Sequence, residues 1–98
     1  LANAYLARVP PATVTGIFRQ PFYYDLMSAQ IGRYQFSAAQ LTAAAQNARQ
    51  IDVGWVLLWT ADRHMRQFLL ATGFRFDYRA DKVWVYRAEW VHRPSQSR

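Results

Sequence analysis

Hydrophobic positions along the chain change their period several times, and each change marks an element. Leu6 to Val9 and Val14 to Phe18 read as short extended edge segments separated by Pro10-Pro11, which bars a regular helix or central strand there. Pro21 suits the first turn of a helix, with Phe22, Leu26 and Ala29 or Gln30 on one side and Gly32 closing the element. Ser37 and Gln40 form a capping box ahead of the stripe Leu41, Ala44, Ala45 and Ala48, which predicts a second helix with a narrow, alanine-lined face. Phe36, just before the cap, is placed to staple against Leu41.

Residues 53–59, VGWVLLW, are hydrophobic except for Gly54, so they predict a strand buried on both faces, with Gly54 admitting a close helix. Thr60 or Asp62 can cap a helix over about residues 63–72, with Met65, Phe68, Leu69 and Thr72 at three-four spacing and Gly73 as its stop. The stretch GFRFDYRADKVWVYR then alternates: Phe74, Phe76 and Tyr78 against Arg75, Asp77 and Arg79, and Val83, Val85 and Arg87 against Trp84, Tyr86 and Ala88. This predicts a β-hairpin turning at Arg79-Ala80-Asp81-Lys82, with one buried aromatic face and one charged wet face.

A helix between strands 53–59 and 74–79 predicts a parallel crossover, to which the hairpin adds an antiparallel member. The expected fold is α/β: a small mixed sheet of three to four strands with a C-terminal hairpin, packed against two to three helices. Residues 1–89 are expected to form a single domain, and 90–98 (WVHRPSQSR) a flexible tail.

Composition narrows the functional classes. The 98 residues suffice for one modest core. Cysteine is absent, which removes disulfides, thiolate metal sites and cysteine nucleophiles. The two histidines, His64 and His92, have no third histidine to join them at a metal. Asp52 and Asp62 flank the buried strand at opposite ends, so they do not face each other as a paired acid and base. No nucleophile elbow, phosphate loop or dinucleotide fingerprint occurs. The expectation is therefore no catalytic residue, no metal and no cofactor.

The formal charge of +6 rests almost wholly on arginine and is dispersed. A nucleic-acid reader concentrates its charge more than this, so a small basic nucleic-acid-binding module is the second reading. Four tryptophans, six tyrosines and six phenylalanines exceed the plain needs of so small a core. If some contact a glycan, Trp84, Tyr86 and Arg87 are the first candidates, with Arg66 and Tyr78 next: a ring stacks on a pyranose and a guanidinium bridges hydroxyls or an acid group. The longest apolar run is seven residues, against about 20 for a membrane span, and the start is no signal peptide. The chain does not begin with Met and reads as part of something longer.

The phrases YLARVPP, DLMSAQ, SAAQLTAAAQNARQIDVGWVLLW, FLLATGF and DKVWVYR together resemble the soluble C-terminal extracytoplasmic domain of bacterial multi-pass membrane proteins of the glycosyltransferase-C type. Such members carry a Tyr-Leu-x-Arg-Val-Pro phrase, a helix ending in Ala-x-x-Ile-Asp/Gly-Val, a hydrophobic strand, Leu-x-x-x-Gly-Phe and a hairpin closing on Tyr-Arg. Here these fall on residues 5–10, 48–53, 56–59, 70–74 and 83–87. The resemblance implies a non-catalytic accessory domain at the cell membrane, facing the periplasm or the outside. It would pack on the transmembrane part of its parent, either simply capping it or also contacting a cell-envelope glycan. The parent would use a lipid-phosphate-linked sugar, with its catalytic acid on an external loop that this chain does not contain.

Overall fold

The computed structural model describes residues 4–8, 21–59 and 62–91. The expected segment at Val14 to Phe18 lies outside them. Four strands, β1 (Ala4–Arg8), β2 (Val53–Leu58), β3 (Phe74–Ala80) and β4 (Val83–Ala88), form one sheet in the order β1-β2-β4-β3. Three helices, α1 (Pro21–Ala29), α2 (Ala38–Gln50) and α3 (Arg63–Ala71), pack with it, and a 3-10 turn (Gln30–Gly32) follows α1. The domain is thus α/β with a C-terminal hairpin and three helices.

The sheet is not mixed in its pairing: every neighbouring pair is antiparallel. β2 and β3 do run in the same direction, as a crossover through α3 requires, but β4 returns between them and pairs with both. The hairpin carries the chain back into the gap, where β4 finds hydrogen-bond partners on each side and its apolar residues are buried. β3 is left at the sheet edge.

Each helix start is satisfied by a side chain. The N–H of Phe22 donates to Asn47 Oδ1 of α2 at 2.8 Å. Ser37 and Gln40 form the reciprocal capping box, with bonds of 2.8 and 3.2 Å. Asp62 caps α3 by accepting from Met65 N–H at 3.0 Å. The helix-facing side of the sheet contributes Ala4, Leu6, Val56, Leu58, Phe74, Tyr86 and Ala88 to one core with Phe22, Leu26, Ala44, Ala48, Met65, Phe68 and Leu69. Thr72, the one buried polar residue among those described, donates its hydroxyl to the carbonyls of Phe68 and Leu69.

The expected tail does not begin at residue 90. Val91 is buried with the core, and the Trp90 indole N–H donates to Val53 carbonyl oxygen at 3.1 Å. The end of β4 runs alongside the start of β2, so the next residues still have a core edge to cover.

The membrane and transmembrane character drawn from the resemblance is corrected for this chain: among the described residues no helix is long and apolar enough to cross a membrane. The longest, α2, has 13 residues, against about 20 for a span.

The hairpin departs from its expected pattern at one residue. The register of β3 on β4 shifts between Phe76 and Tyr78, so Asp77 is the extra residue of a β-bulge. Before it, Phe74 and Phe76 lie opposite Ala88 and Tyr86; after it, Tyr78 lies opposite Val85 and Arg79 opposite Trp84. The expected aromatic face is split: Tyr78 turns to the side away from the helices, and Arg79 takes the helix side. An edge strand tolerates this because its outer backbone groups have no ladder to keep. The turn itself is Asp81-Lys82, and Asp81 supplies the left-handed conformation (φ 55°) that an Asn-Gly pair would otherwise bring.

Candidate functional site

The five residues singled out for glycan contact fall into two groups on opposite sides of the sheet. Trp84, Tyr86 and Arg66 come together on the helix side, beyond the first turn of α3. Arg87 and Tyr78 lie on the other side: Arg87 is opposite Trp55 and Arg75, and Tyr78 opposite Val85.

On the helix side Trp84 is half-buried and is the centre of a cluster. The Arg66 guanidinium lies over its ring with Cζ 5.2 Å from the centroid, and Arg79 lies over it at 5.1 Å. Phe76 meets the indole edge-on at 5.8 Å and Tyr86 at 5.7 Å. Arg79 and Phe76 were not among the expected residues, because regular alternation puts them on opposite faces; the bulge at Asp77 puts them on the same one. Each cation–π contact contributes on the order of 0.5–1 kcal/mol at an exposed site. Among the described residues neither Arg66 nor Arg79 is paired with a carboxylate.

Tyr86 is 3% exposed, so it does not offer a ring for stacking. Its phenol is pushed above its ordinary value by burial, partly offset by the charge of Arg66 and a hydrogen bond from it. It packs in the core beneath the cluster. Phe76, 49% exposed, is the accessible ring of the cluster.

The other group is differently employed. Arg87 Nη1 donates to Val91 carbonyl oxygen at 2.8 Å, which ties the chain end to the sheet. Arg75 pairs with Glu89. Tyr78 is 53% exposed, but its neighbours across the strands are Val85 and Leu57, which offer no charge to combine with it.

A second feature lies elsewhere. A cleft of about 360 Å³ opens between the loop after the 3-10 turn, the start of α2 and α3. Phe36, Leu41 and Phe68 form its apolar walls, and Tyr34, His64 and Gln67 stand at its rim. Asp62 sets this geometry. One carboxylate oxygen accepts from Met65 N–H and the other from Ile31 N–H at 2.8 Å, so the side chain joins the cap of α3 to the left-handed pair Ile31 (φ 50°) and Gly32 (φ 72°). His64 Nδ1 stands 3.8 Å from the same carboxylate, beyond hydrogen-bonding distance. Among the described residues no group of three potential metal ligands occurs.

Burial raises the carboxyl of Asp62, but hydrogen bonds from the backbone N–H groups of Met65, Ile31 and His64, with the His64 charge, more than offset it and hold it below the ordinary value. A depressed folded-state value gives stability that is present above the unfolded value, near 3.9, and is lost as pH falls through the folded one. Asp25 has the opposite sign: burial raises its value, so stability is lost as pH rises from the unfolded value through the folded one. Acidification is therefore expected first to relieve Asp25 and only below the ordinary carboxylate value, about 4, to lose the Asp62 clamp. In thermal melts across that range, Asp62→Ala is expected to cost about 0.5–2 kcal/mol at neutral pH and to flatten the acid limb. An acid limb unchanged by Asp62→Ala would contradict this assignment.

Comparison with known proteins finds no matching family, no related curated protein and no similar solved structure. The functional reading therefore rests on the residues themselves.

Proposed function

We propose that this chain is a non-catalytic accessory domain of a larger glycosyltransferase-like protein, and that it contacts an acidic cell-envelope glycan. The observation that carries the contact is the pair Arg66 and Arg79, both held on the ring of Trp84 with no carboxylate paired to either among the described residues. Among the described residues neither guanidinium is neutralised by a carboxylate, and an anion bound to it beside the Trp84 ring would supply that charge. Guanidinium N–H groups match a carboxylate in a two-pronged arrangement, and Phe76 beside them offers an apolar ring to a sugar face. The role as part of a larger protein is supported by the sequence phrases alone.

The test is a calorimetric titration with a uronic-acid oligosaccharide, its carboxyl-reduced neutral counterpart and a short single-stranded DNA. Saturable binding of the acidic sugar is expected, falling roughly tenfold or more in Arg66→Gln/Arg79→Gln and also weakening in Trp84→Ala. Equal binding of acidic and neutral sugars, binding of neither, or an affinity unmoved by Trp84→Ala would refute the reading. Tighter, steeply salt-dependent binding of DNA would replace it with the nucleic-acid one.

A further inference from the structure

We propose that a cavity between α1 and α2, beside the loop at Tyr34 and Phe36, is a second binding site, independent of the arginine cluster, and that it takes the primary ammonium head and alkyl stem of an amine. The cavity measures about 270 Å³ and is lined by Asp25 and Ser28 of α1, Tyr34 and Phe36 of the loop, and Gln40 and Ala43 of α2. That volume suits a small head group with a short stem rather than a chain of sugars. The chain carries +6 overall, yet none of the described Lys or Arg side chains lines this cavity. The molecule at large repels a cation, so a cation that binds must be held by local contacts.

The polar groups on the wall decide the ligand. Asp25 and Ser28 stand three residues apart on α1, so the carboxylate and the hydroxyl are neighbours on one helix face. Among the described residues neither has a hydrogen-bond or charged partner. Burial without such a partner pushes the Asp25 carboxyl above its ordinary value. The opposite wall is already committed. Gln40 Oε1 accepts from Ser37 N–H at 2.8 Å, and Gln40 Nε2 donates to the Tyr34 hydroxyl at 2.7 Å. A carboxylate and a hydroxyl are thus left to accept, and the N–H groups of an ammonium satisfy both. The rings of Tyr34 and Phe36, 4.7 Å between centroids with planes at 51°, form a tilted aromatic wall of the same cavity, and Phe36 rests in turn on Phe68 at 5.0 Å. Aromatic faces favour a cation over an anion and cover an alkyl stem. An anion would meet the Asp25 carboxylate. A neutral hydrocarbon would leave that carboxylate unpaired. A metal ion would find one carboxylate, since among the described residues no group of three potential ligands occurs.

The test uses the full 98-residue chain and amide NMR titrations at fixed ionic strength with n-butylammonium, n-butanol, choline and N-acetyl-lysine methylamide. Butylammonium is expected to shift signals from residues 25–28, 34–36 and 40–43 saturably, while those of Arg79 and Trp84 stay in place. If the lysine amide binds at least as tightly at the same signals, the ammonium is presented by a lysine side chain; if more weakly, by a free amine. Asp25→Asn keeps the shape and removes the charge, and is expected to weaken butylammonium roughly tenfold or more without unfolding the chain. Ala43→Leu, at an exposed helical position lining the cavity, fills it and is expected to abolish binding with the spectrum of the fold retained. Asp25 and Tyr34 are the titratable groups lining the cavity. Binding should weaken as pH falls through the raised Asp25 value, and that dependence should vanish in Asp25→Asn. No saturable shift with butylammonium, butanol or choline binding as tightly, or Asp25→Asn or Ala43→Leu binding like the parent chain would each overturn the proposal. No residue of this cavity belongs to the arginine cluster, so failure of the acidic sugar to bind leaves these signals unaffected and the two sites stand or fall separately.

Discussion

Phe22→Ala is expected to destabilise the domain by about 3–5 kcal/mol, within the range for a large buried aromatic truncated to alanine. Phe22 is fully buried on α1 and touches the rings of Phe68 on α3 and Phe74 on β3, at 5.6 and 5.5 Å between centroids. These contacts continue outward from Phe68 to Phe36 and Tyr34 at one end, and from Phe74 to Trp90 at the other. The side chain therefore joins two helices, the edge strand and both flanks of the core. Its backbone N–H bond to Asn47 survives the substitution, so the loss measures packing rather than the helix start. Small domains have about 5–15 kcal/mol in all, so a large part of the folded population is at risk. Urea denaturation should show a lower midpoint with an unchanged slope. A loss below about 1 kcal/mol would mean that the surrounding rings close the gap, and that the core is looser than the contacts imply.

Trp90→Ala is expected to cost about 3 kcal/mol, the lower end of the same range, because the indole is only partly buried. It combines four contacts. Its N–H donates to Val53, its ring meets Phe74 edge-on at 5.4 Å, Arg49 lies over it at 5.4 Å, and it closes over Gly73. Trp90→Phe keeps most of the ring area but removes the hydrogen bond, and should lose about 1 kcal/mol. If Trp90→Ala melts like the parent chain, residue 90 belongs to a tail after all. Gly73→Ala probes the same place from below. Its φ of 98° disfavours any side chain, and the new Cβ would lie 3.2 Å from Trp90 Cζ3.

These two residues stand differently in the sequence. Phe22 was legible as a core position, because Phe22, Leu26 and Ala29 recur at helical spacing after a proline. Trp90 was not: it follows the last alternating strand and precedes His92, Arg93 and Pro94, a composition that reads as tail. Nothing local tells a tryptophan that β2 will start beside it. The candidate site divides in the same way. Trp84 and Arg66 were named for their chemistry, and tertiary structure brings them within 5.2 Å. Arg79 was placed on the wrong side, because strict alternation over Phe74 to Arg79 cannot show the extra residue at Asp77. Tyr86 was named for its ring, but β4 lies between two strands and buries it.

Local physical chemistry, written in the sequence, determined the helices, their caps at Ser37 and Asp62, the hairpin and the stop at Gly73, since propensity, capping and period act within a few residues of one another. Only the tertiary structure decided that β4 enters between β2 and β3, that Asp77 bulges, and that two arginines share one tryptophan. Those outcomes depend on which distant backbone edges are left to pair and which apolar surfaces remain to be covered, and such competition is settled across the whole chain at once.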